Sequence, residues 1–148
     1  MRLAILFDHD AEVAAWVFAR LPYGPQRIAD MPRDWFRALG VLRGGKLCGG
    51  MVWHDRQANG GSIQISVAGD GPWISREVAA VLVPWPFRTL GVTHVQARHA
   101  ASNDKATKGI QHLGWEFEGR QRLAWDGRED ALLFGLTKDR AEKLWAAQ

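Results

Sequence analysis

Cysteine is nearly absent from this 148-residue chain, in which Cys48 is the only one. A single cysteine excludes an internal disulfide and a metal site built from several thiolates. Cys48 lies in the apolar stretch "GGKLCGGMVW", so we predict a small buried side chain rather than a catalytic thiol. The histidines show no spacing typical of a metal site, and we expect no bound metal.

Long apolar runs are also missing. The longest run, "VAAVLVPWPF", has ten residues and contains two prolines, whereas a membrane-spanning helix needs about 20 apolar residues. The opening "MRLAILFDHD" has too short an apolar part for a secretory signal. We therefore expect no membrane association and a cytoplasmic location.

Net charge is the third feature that the chain has little of. The formal net charge is +3, and no segment is a run of lysines and arginines. Nucleic-acid binding, which the eight tryptophans and the pI near 9.4 would otherwise suggest, is therefore not favoured. The length and ordinary composition predict one domain that comprises residues 1–148.

Alternating and helical apolar patterns predict the element order β-α-β-β-β-α-β-α-β-β-α. Asp10 is the expected N-cap of the first helix, and residues 22–34, with three prolines, are expected to form an irregular loop. Gly44-Gly45 predicts the turn of a hairpin. A helix is expected over about 75–90, disturbed by its prolines and closed by Gly91.

The stretch "SNDKATKGIQHLGWEFEGR", residues 102–120, combines a helix with the strand that follows it. Ser102 or Asn103 is the expected cap of the helix, and Gly114 the expected end. After it, "WEFEGRQRLAW" and "DALLFGLT" predict an antiparallel pair, and a last helix is expected over about 138–145.

The same stretch carries a resemblance to the GNAT acetyltransferase superfamily. Many members have Asn, then Ala three residues on, then Leu-Gly-Phe and Glu-Gly. The matching residues here are Asn103, Ala106, Leu113-Gly114-Trp115 and Glu118-Gly119. The ending "GRQR…DALLFGL" is similar to the ribosomal-protein-alanine acetyltransferase type, and "WISREVAAVLVPWPFRTLGV" resembles a helix of phage-type GNAT proteins.

This resemblance implies the GNAT fold: an α/β protein with a mixed, mostly antiparallel sheet and a splay between two parallel strands, flanked by helices. The parallel strands would be residues 62–69 and 92–99. The pantetheine of acetyl-CoA would pair with strand backbone near Ile65 and Val67, as an added strand does. Asn103 would face the cofactor, with the alternative that it only caps its helix.

The phosphate loop implied by the resemblance falls on residues 70–75. Trp73, Ile74 and Ser75 would line the CoA pyrophosphate at a helix N-terminus, and Arg76 would pair with a phosphate oxygen. Trp73 stands where the family has a glycine, Asp70 replaces Gln or Arg, and Pro72 has no N–H. The alternative is a helix start capped by Ser75, with Trp73 as a packing anchor.

A catalytic base is the remaining requirement for acetyl transfer to an amine. His54 is the preferred candidate, ahead of Asp55 and Glu12, because a histidine ordinarily titrates near neutral pH. The tyrosine that serves many family members as proton donor is replaced by Ile110. Three aromatic residues are candidates to line the acceptor pocket: Tyr23, Trp35 and Phe36.

The sequence therefore predicts an N-acetyltransferase that moves an acetyl group from acetyl-CoA, its co-substrate, to a primary amine of a small molecule or peptide by direct attack. The alternative is a GNAT-fold binding or interaction protein with little or no catalysis. Its motivation is the altered phosphate loop and the missing tyrosine. Either protein is expected to be a monomer or a homodimer.

Overall fold

A computed structural model describes residues 2–145. The helices are α1 (Asp10–Phe18), α2 (Gly24–Ala29), α3 (Arg76–Leu82), α4 (Asp104–His112) and α5 (Lys138–Trp145). The strands are β1 (Leu3–Leu6), β2 (Phe36–Arg43), β3 (Lys46–His54), β4 (Ser62–Gly69), β5 (His94–Ala100), β6 (Glu116–Gln121) and β7 (Ala131–Thr137). No helix in this part of the chain is long and apolar enough to cross a membrane.

The strands form one mixed sheet in the order β1-β2-β3-β4-β5-β7-β6. Strands β1, β2 and β3 are consecutive antiparallel neighbours, as are β5, β7 and β6. Strands β4 and β5 form the parallel pair. The predicted fold class, a mostly antiparallel α/β sheet flanked by helices, is confirmed. The splay within the parallel pair stays a prediction.

The chain divides into two compact units, and the first comprises residues 1–56 and 65–82. Its core lies between α1 and strands β2 and β3, where apolar residues at helical spacing on α1 meet alternate residues of the strands. The buried residues of this cluster are Val13, Ala14, Val17, Phe18, Met31, Phe36, Ala38 and Val52. Cys48 is also buried, as predicted.

The second unit comprises residues 57–64 and 83–148. Trp115 is buried, and its indole N–H donates to the Val95 carbonyl at 3.1 Å, so its one polar atom is satisfied. His99 stacks on Phe134 with a ring-centroid distance of 5.3 Å, and burial lowers the pKa of its imidazole. The prediction of one domain, 1–148, stays a prediction.

One predicted turn, one predicted helix end and the bounds of the last helix are confirmed. Gly44 and Gly45 have φ angles of 61° and 77°, so they supply the left-handed conformations of the hairpin turn. Gly91, with φ of 71°, follows a short helical segment over Pro86–Leu90. The last helix has the predicted bounds.

Two local predictions are wrong. Residues 22–34 contain α2, because Pro25 stands in the first turn, where its missing N–H costs nothing. Asp10 does not cap α1; its carboxylate accepts from the Ala38 N–H at 2.6 Å, on β2. The helix expected over 75–90 is disturbed in its second half as predicted: α3 ends at Leu82 and a helical segment resumes at Pro86, since the prolines remove the N–H groups that would continue it.

Candidate active site

A chain of polar side chains lies where β3 ends. His54 is the last residue of β3, and only 5% of it is exposed. Its Nδ1 lies 2.5 Å from a carboxylate oxygen of Asp55, and its Nε2 lies 2.7 Å from the Ser66 hydroxyl on β4. The same Asp55 oxygen accepts a hydrogen bond from the Arg27 guanidinium of α2. Four residues thus form one continuous chain of hydrogen bonds.

Asp55 is held in its charged form by this arrangement. The hydrogen bond with His54 lowers the pKa of the Asp55 carboxyl far below its usual range, the Arg27 guanidinium adds to the effect, and partial burial opposes it. The φ angle of Asp55 is 53°, a left-handed conformation that aspartate tolerates better than most residues. This conformation ends β3 and leaves the carboxylate beside the preceding imidazole.

Strand periodicity places Ser66 on the face of the sheet that α1 covers. Ala68 packs against the α1 core cluster, and residues two apart in a strand point to the same face. Ser66 therefore shares that face with Ala68, while its hydrogen-bond partner His54 has its ring 5.8 Å from the Phe18 ring of α1. The local fold explains how β3, β4 and α1 bring these groups together.

Trp73 fits onto the sheet through two glycines. A Cβ added at Gly49 of β3, or at Gly69 of β4, would lie 2.1 Å from an atom of the Trp73 ring. Only glycine at both positions leaves room for the indole on the strand backbone. The residue that replaces the family's glycine is therefore a packing anchor, one of the two roles that the sequence left open.

Two arginines form hydrogen bonds with the loop before Trp73. The Arg20 Nε donates to both carboxylate oxygens of Asp70, at 3.1 and 3.2 Å. Arg43 donates to the backbone carbonyls of Asp70 and Pro72. The carboxylate at the unusual loop position is thus paired with a cation, which offsets its negative charge.

The remaining predicted phosphate-loop residues lie at the start of α3. The Ser75 hydroxyl accepts from the Val78 N–H at 3.1 Å, so it caps the helix. Arg76 is the first residue of α3, and Ile74 precedes the cap. The structure brings Trp73, Ile74, Ser75 and Arg76 together after β4, the strand that carries Ile65 and Val67.

Asn103 lies in the second unit and caps α4. Its side-chain oxygen accepts from the Ala106 N–H at 3.1 Å. The capping role of Asn103 is therefore observed, and its contact with the cofactor stays a prediction. The same unit contains a second Ser-His-carboxylate chain, in which the Ser62 hydroxyl lies 2.7 Å from His94 Nδ1, and His94 Nε2 lies 2.9 Å from Glu118.

The three aromatic residues that were predicted to line the acceptor pocket differ in their exposure to solvent. Tyr23 and Trp35 are exposed, whereas Phe36 belongs to the buried core cluster. Among residues 2–145, no three His, Cys, Asp or Glu side chains lie together as a metal ion would require.

Sequence reasoning named His54 and Asp55 but missed Ser66 and Arg27. The alternation of "SIQISVAG" predicts that Ser66 faces away from Ile65 and Val67, so part of the signal was present. The pairing of His54 with Ser66 depends on the register between β3 and β4, which the sequence does not give. Arg27 was missed because its helix was expected to be a loop.

Comparisons with known proteins bear on the fold. No protein-family model and no curated protein sequence matches the chain. A solved spermidine N-acetyltransferase, a chimera from Vibrio cholerae and hSSAT, is similar over 95% of this chain and 99% of its own, with TM-score 0.72 and 14% identity.

Two further solved structures are similar. The ribosomal-protein-S18-alanine N-acetyltransferase from Escherichia coli matches over 92% of both chains, with TM-score 0.64 and 19% identity. A probable acetyltransferase matches over 93% of both chains, with TM-score 0.65 and 18% identity. The chain therefore has the fold of the GNAT N-acetyltransferases.

Proposed function

We propose that the protein is an N-acetyltransferase that transfers an acetyl group from acetyl-CoA to a primary amine of a small molecule or peptide. The observation that carries this proposal is the hydrogen-bonded chain of Arg27, Asp55, His54 and Ser66 at the end of β3 on a GNAT fold. A base oriented by a carboxylate is what removal of a proton from an amine requires. His54 is the base, and Asp55 holds its ring orientation and tautomer.

The reaction is direct attack of the neutral amine on the thioester carbonyl. A carbon–nitrogen bond forms, the carbon–sulfur bond breaks, and the amine loses a proton. Correct positioning of the two substrates supplies much of the rate. The protein's own contribution is the proton acceptor His54, whose Nε2 faces Ser66 on the helix-covered face of β4. Ser66 adjoins Val67, near whose backbone the resemblance implies that the thioester lies.

The cofactor-binding residues of the proposal are Ile65 and Val67 on β4, followed by Trp73, Ile74, Ser75 and Arg76. Support comes from their continuity, since residues 65–69 of β4, the anchored loop and the start of α3 follow one another within the first unit. Asn103 is the further candidate that the resemblance implies, from the second unit.

Replacing Arg76 with alanine is expected to weaken CoA binding by about 1–3 kcal/mol, because a charge-assisted hydrogen bond to phosphate is lost. Calorimetry on the folded variant measures this change. Arg128→Ala is the control, since it removes the same charge from a turn in the second unit. Equal affinities for the two variants would show that Arg76 does not contact the phosphates.

Acetylation assays with two acceptors test the proposed activity. The acceptors are spermidine and a peptide with an N-terminal alanine, because these represent a small amine and a peptide amine. Mass spectrometry of the acceptor, together with release of the CoA thiol, reports transfer. We expect acetylation of at least one acceptor at a rate well above that without protein. Absence of transfer to both would contradict the activity.

One observation favours the alternative function, a GNAT-fold binding protein. Trp73 occupies the surface above Gly49 and Gly69, and the Asp70 carboxylate is paired with Arg20. The side chains of Trp73 and Asp70 thus stabilise the position of this loop within the fold, a role that requires no catalysis. CoA binding without acetylation of either acceptor would support this alternative.

A further inference from the structure

His54 is too deeply buried to contact an acceptor directly. Only 5% of the residue is exposed, and both ring nitrogens already have partners within 2.7 Å. Ser66 is half-buried, and its hydroxyl lies on the Nε2 side of the ring. Any proton that reaches His54 from an acceptor at this face must therefore arrive through Ser66.

The charges around His54 fix the direction of its hydrogen bonds. Asp55 is ionised and can only accept, so Nδ1 of His54 carries the proton and donates to it. In the neutral imidazole, Nε2 then carries no proton and accepts from the Ser66 hydroxyl. The Arg27 guanidinium keeps Asp55 charged from the α2 side. This is the nucleophile-base-orienter pattern in which a serine hydroxyl becomes able to exchange its proton.

The position of Ser66 suits contact with the reacting groups. It immediately precedes Val67, near whose backbone N–H the thioester carbonyl is proposed to lie. It also shares a face with Ala68, which packs on the α1 core cluster beside the segment that carries exposed Tyr23. Among the four hydrogen-bonded residues, Ser66 alone stands on β4, the strand beside which the thioester is proposed to lie.

We propose that Ser66 is a catalytic residue that relays a proton from the acceptor amine to His54. As the carbon–nitrogen bond forms and the carbon–sulfur bond breaks, CoA leaves as a thiolate that takes a proton from solvent, and the amine proton passes to the Ser66 oxygen. At the same time the original Ser66 proton passes to Nε2 of His54. Ser66 ends neutral, His54 ends as an imidazolium paired with Asp55, and solvent later removes the extra proton. This inference rests on the proposed acetyltransferase function.

Ser66→Thr and Ser66→Val form the decisive pair of variants. They have nearly the same shape and both suit a strand, but only threonine keeps the hydroxyl. With whichever of spermidine and the alanine peptide is acetylated, we expect Ser66→Val to lower kcat by roughly 100-fold or more, a size typical of lost acid–base catalysis. We expect Ser66→Thr to retain most of kcat, and neither variant to change KM strongly.

Two further variants separate a relay from a structural role. Adding His54→Gln to Ser66→Val is expected to cost no more than either change alone, because both interrupt the same proton path. Ser62→Val is the matched control: it removes a hydroxyl from the same strand that also contacts a histidine, His94, in the second unit. Its kcat is expected to match that of the wild type.

The results that would overturn the relay are distinct. Equal kcat for Ser66→Val and Ser66→Thr, in a protein whose wild type acetylates an acceptor, would refute the relay and leave the acetyltransferase function intact. A covalent acetyl group on Ser66, seen by mass spectrometry after incubation with acetyl-CoA alone, would make Ser66 a nucleophile instead. No acetylation by the wild type would refute the proposed function and the relay together.

Discussion

Replacing Gly49 with alanine is expected to lower the free energy of unfolding by about 1–3 kcal/mol, the usual cost of overpacking a buried site. The new Cβ would lie 2.1 Å from the Trp73 ring, so the indole must be displaced from the strand. Denaturant unfolding, followed by tryptophan fluorescence, measures the change. The displaced Trp73 should also disturb the loop over residues 70–75.

Gly109→Ala is the matched control for this prediction. Gly109 lies within α4, and a Cβ there would meet nothing within 4 Å. Alanine should therefore be neutral or stabilise the helix by up to about 1 kcal/mol. If Gly49→Ala unfolds at the same denaturant concentration as the wild type, the packing of Trp73 on the two glycines is wrong.

Replacing Asp55 with asparagine is expected to destabilise the protein by about 1–3 kcal/mol at neutral pH, since hydrogen bonds to a charged group contribute about that much. The partial exposure of both Asp55 and Arg27 places the effect at the lower end of the range. Asparagine keeps the shape of the side chain but removes the negative charge between Arg27 and His54. Thermal unfolding with far-UV circular dichroism measures the loss.

The same variant has an expected pH signature. Because folding lowers the pKa of the Asp55 carboxyl, its contribution to stability is present above the ordinary aspartate pKa of about 4 and is lost as the pH falls below that value. Wild type and Asp55→Asn should therefore converge in stability as the pH is lowered from neutral toward strongly acidic values. The exposed Asp34→Asn variant is the control. A constant difference at every pH would contradict the ionised role of Asp55.

The sequence predicted the elements whose signals are local. Alternation defined β4, the glycine pair defined the hairpin turn, and the Asn103 cap marked the start of α4, because each of these depends on a few neighbouring residues. The fold class followed from the order of these elements together with the motif resemblance. Local chemistry was sufficient for this part of the structure.

The candidate site was only half predictable, for a physical reason. His54 and Ser66 are twelve residues apart and meet through strand pairing. Arg27 contacts Asp55 from α2, a helix that was not predicted because its segment contains three prolines. Contacts of this kind depend on register and on tertiary packing, which override local propensity. Asp10 shows the same limit, since a contact with β2 replaced the helix cap that its position suggested.

Calorimetric titration of the wild-type protein with acetyl-CoA tests the central claim most directly. Acetyl-CoA binding is required by the proposed transfer reaction, whichever amine accepts the acetyl group. We expect saturable binding of acetyl-CoA that is weakened by Arg76→Ala and unchanged by Arg128→Ala. Absence of binding even at millimolar acetyl-CoA, by a protein that circular dichroism shows to be folded, would contradict the acetyltransferase function.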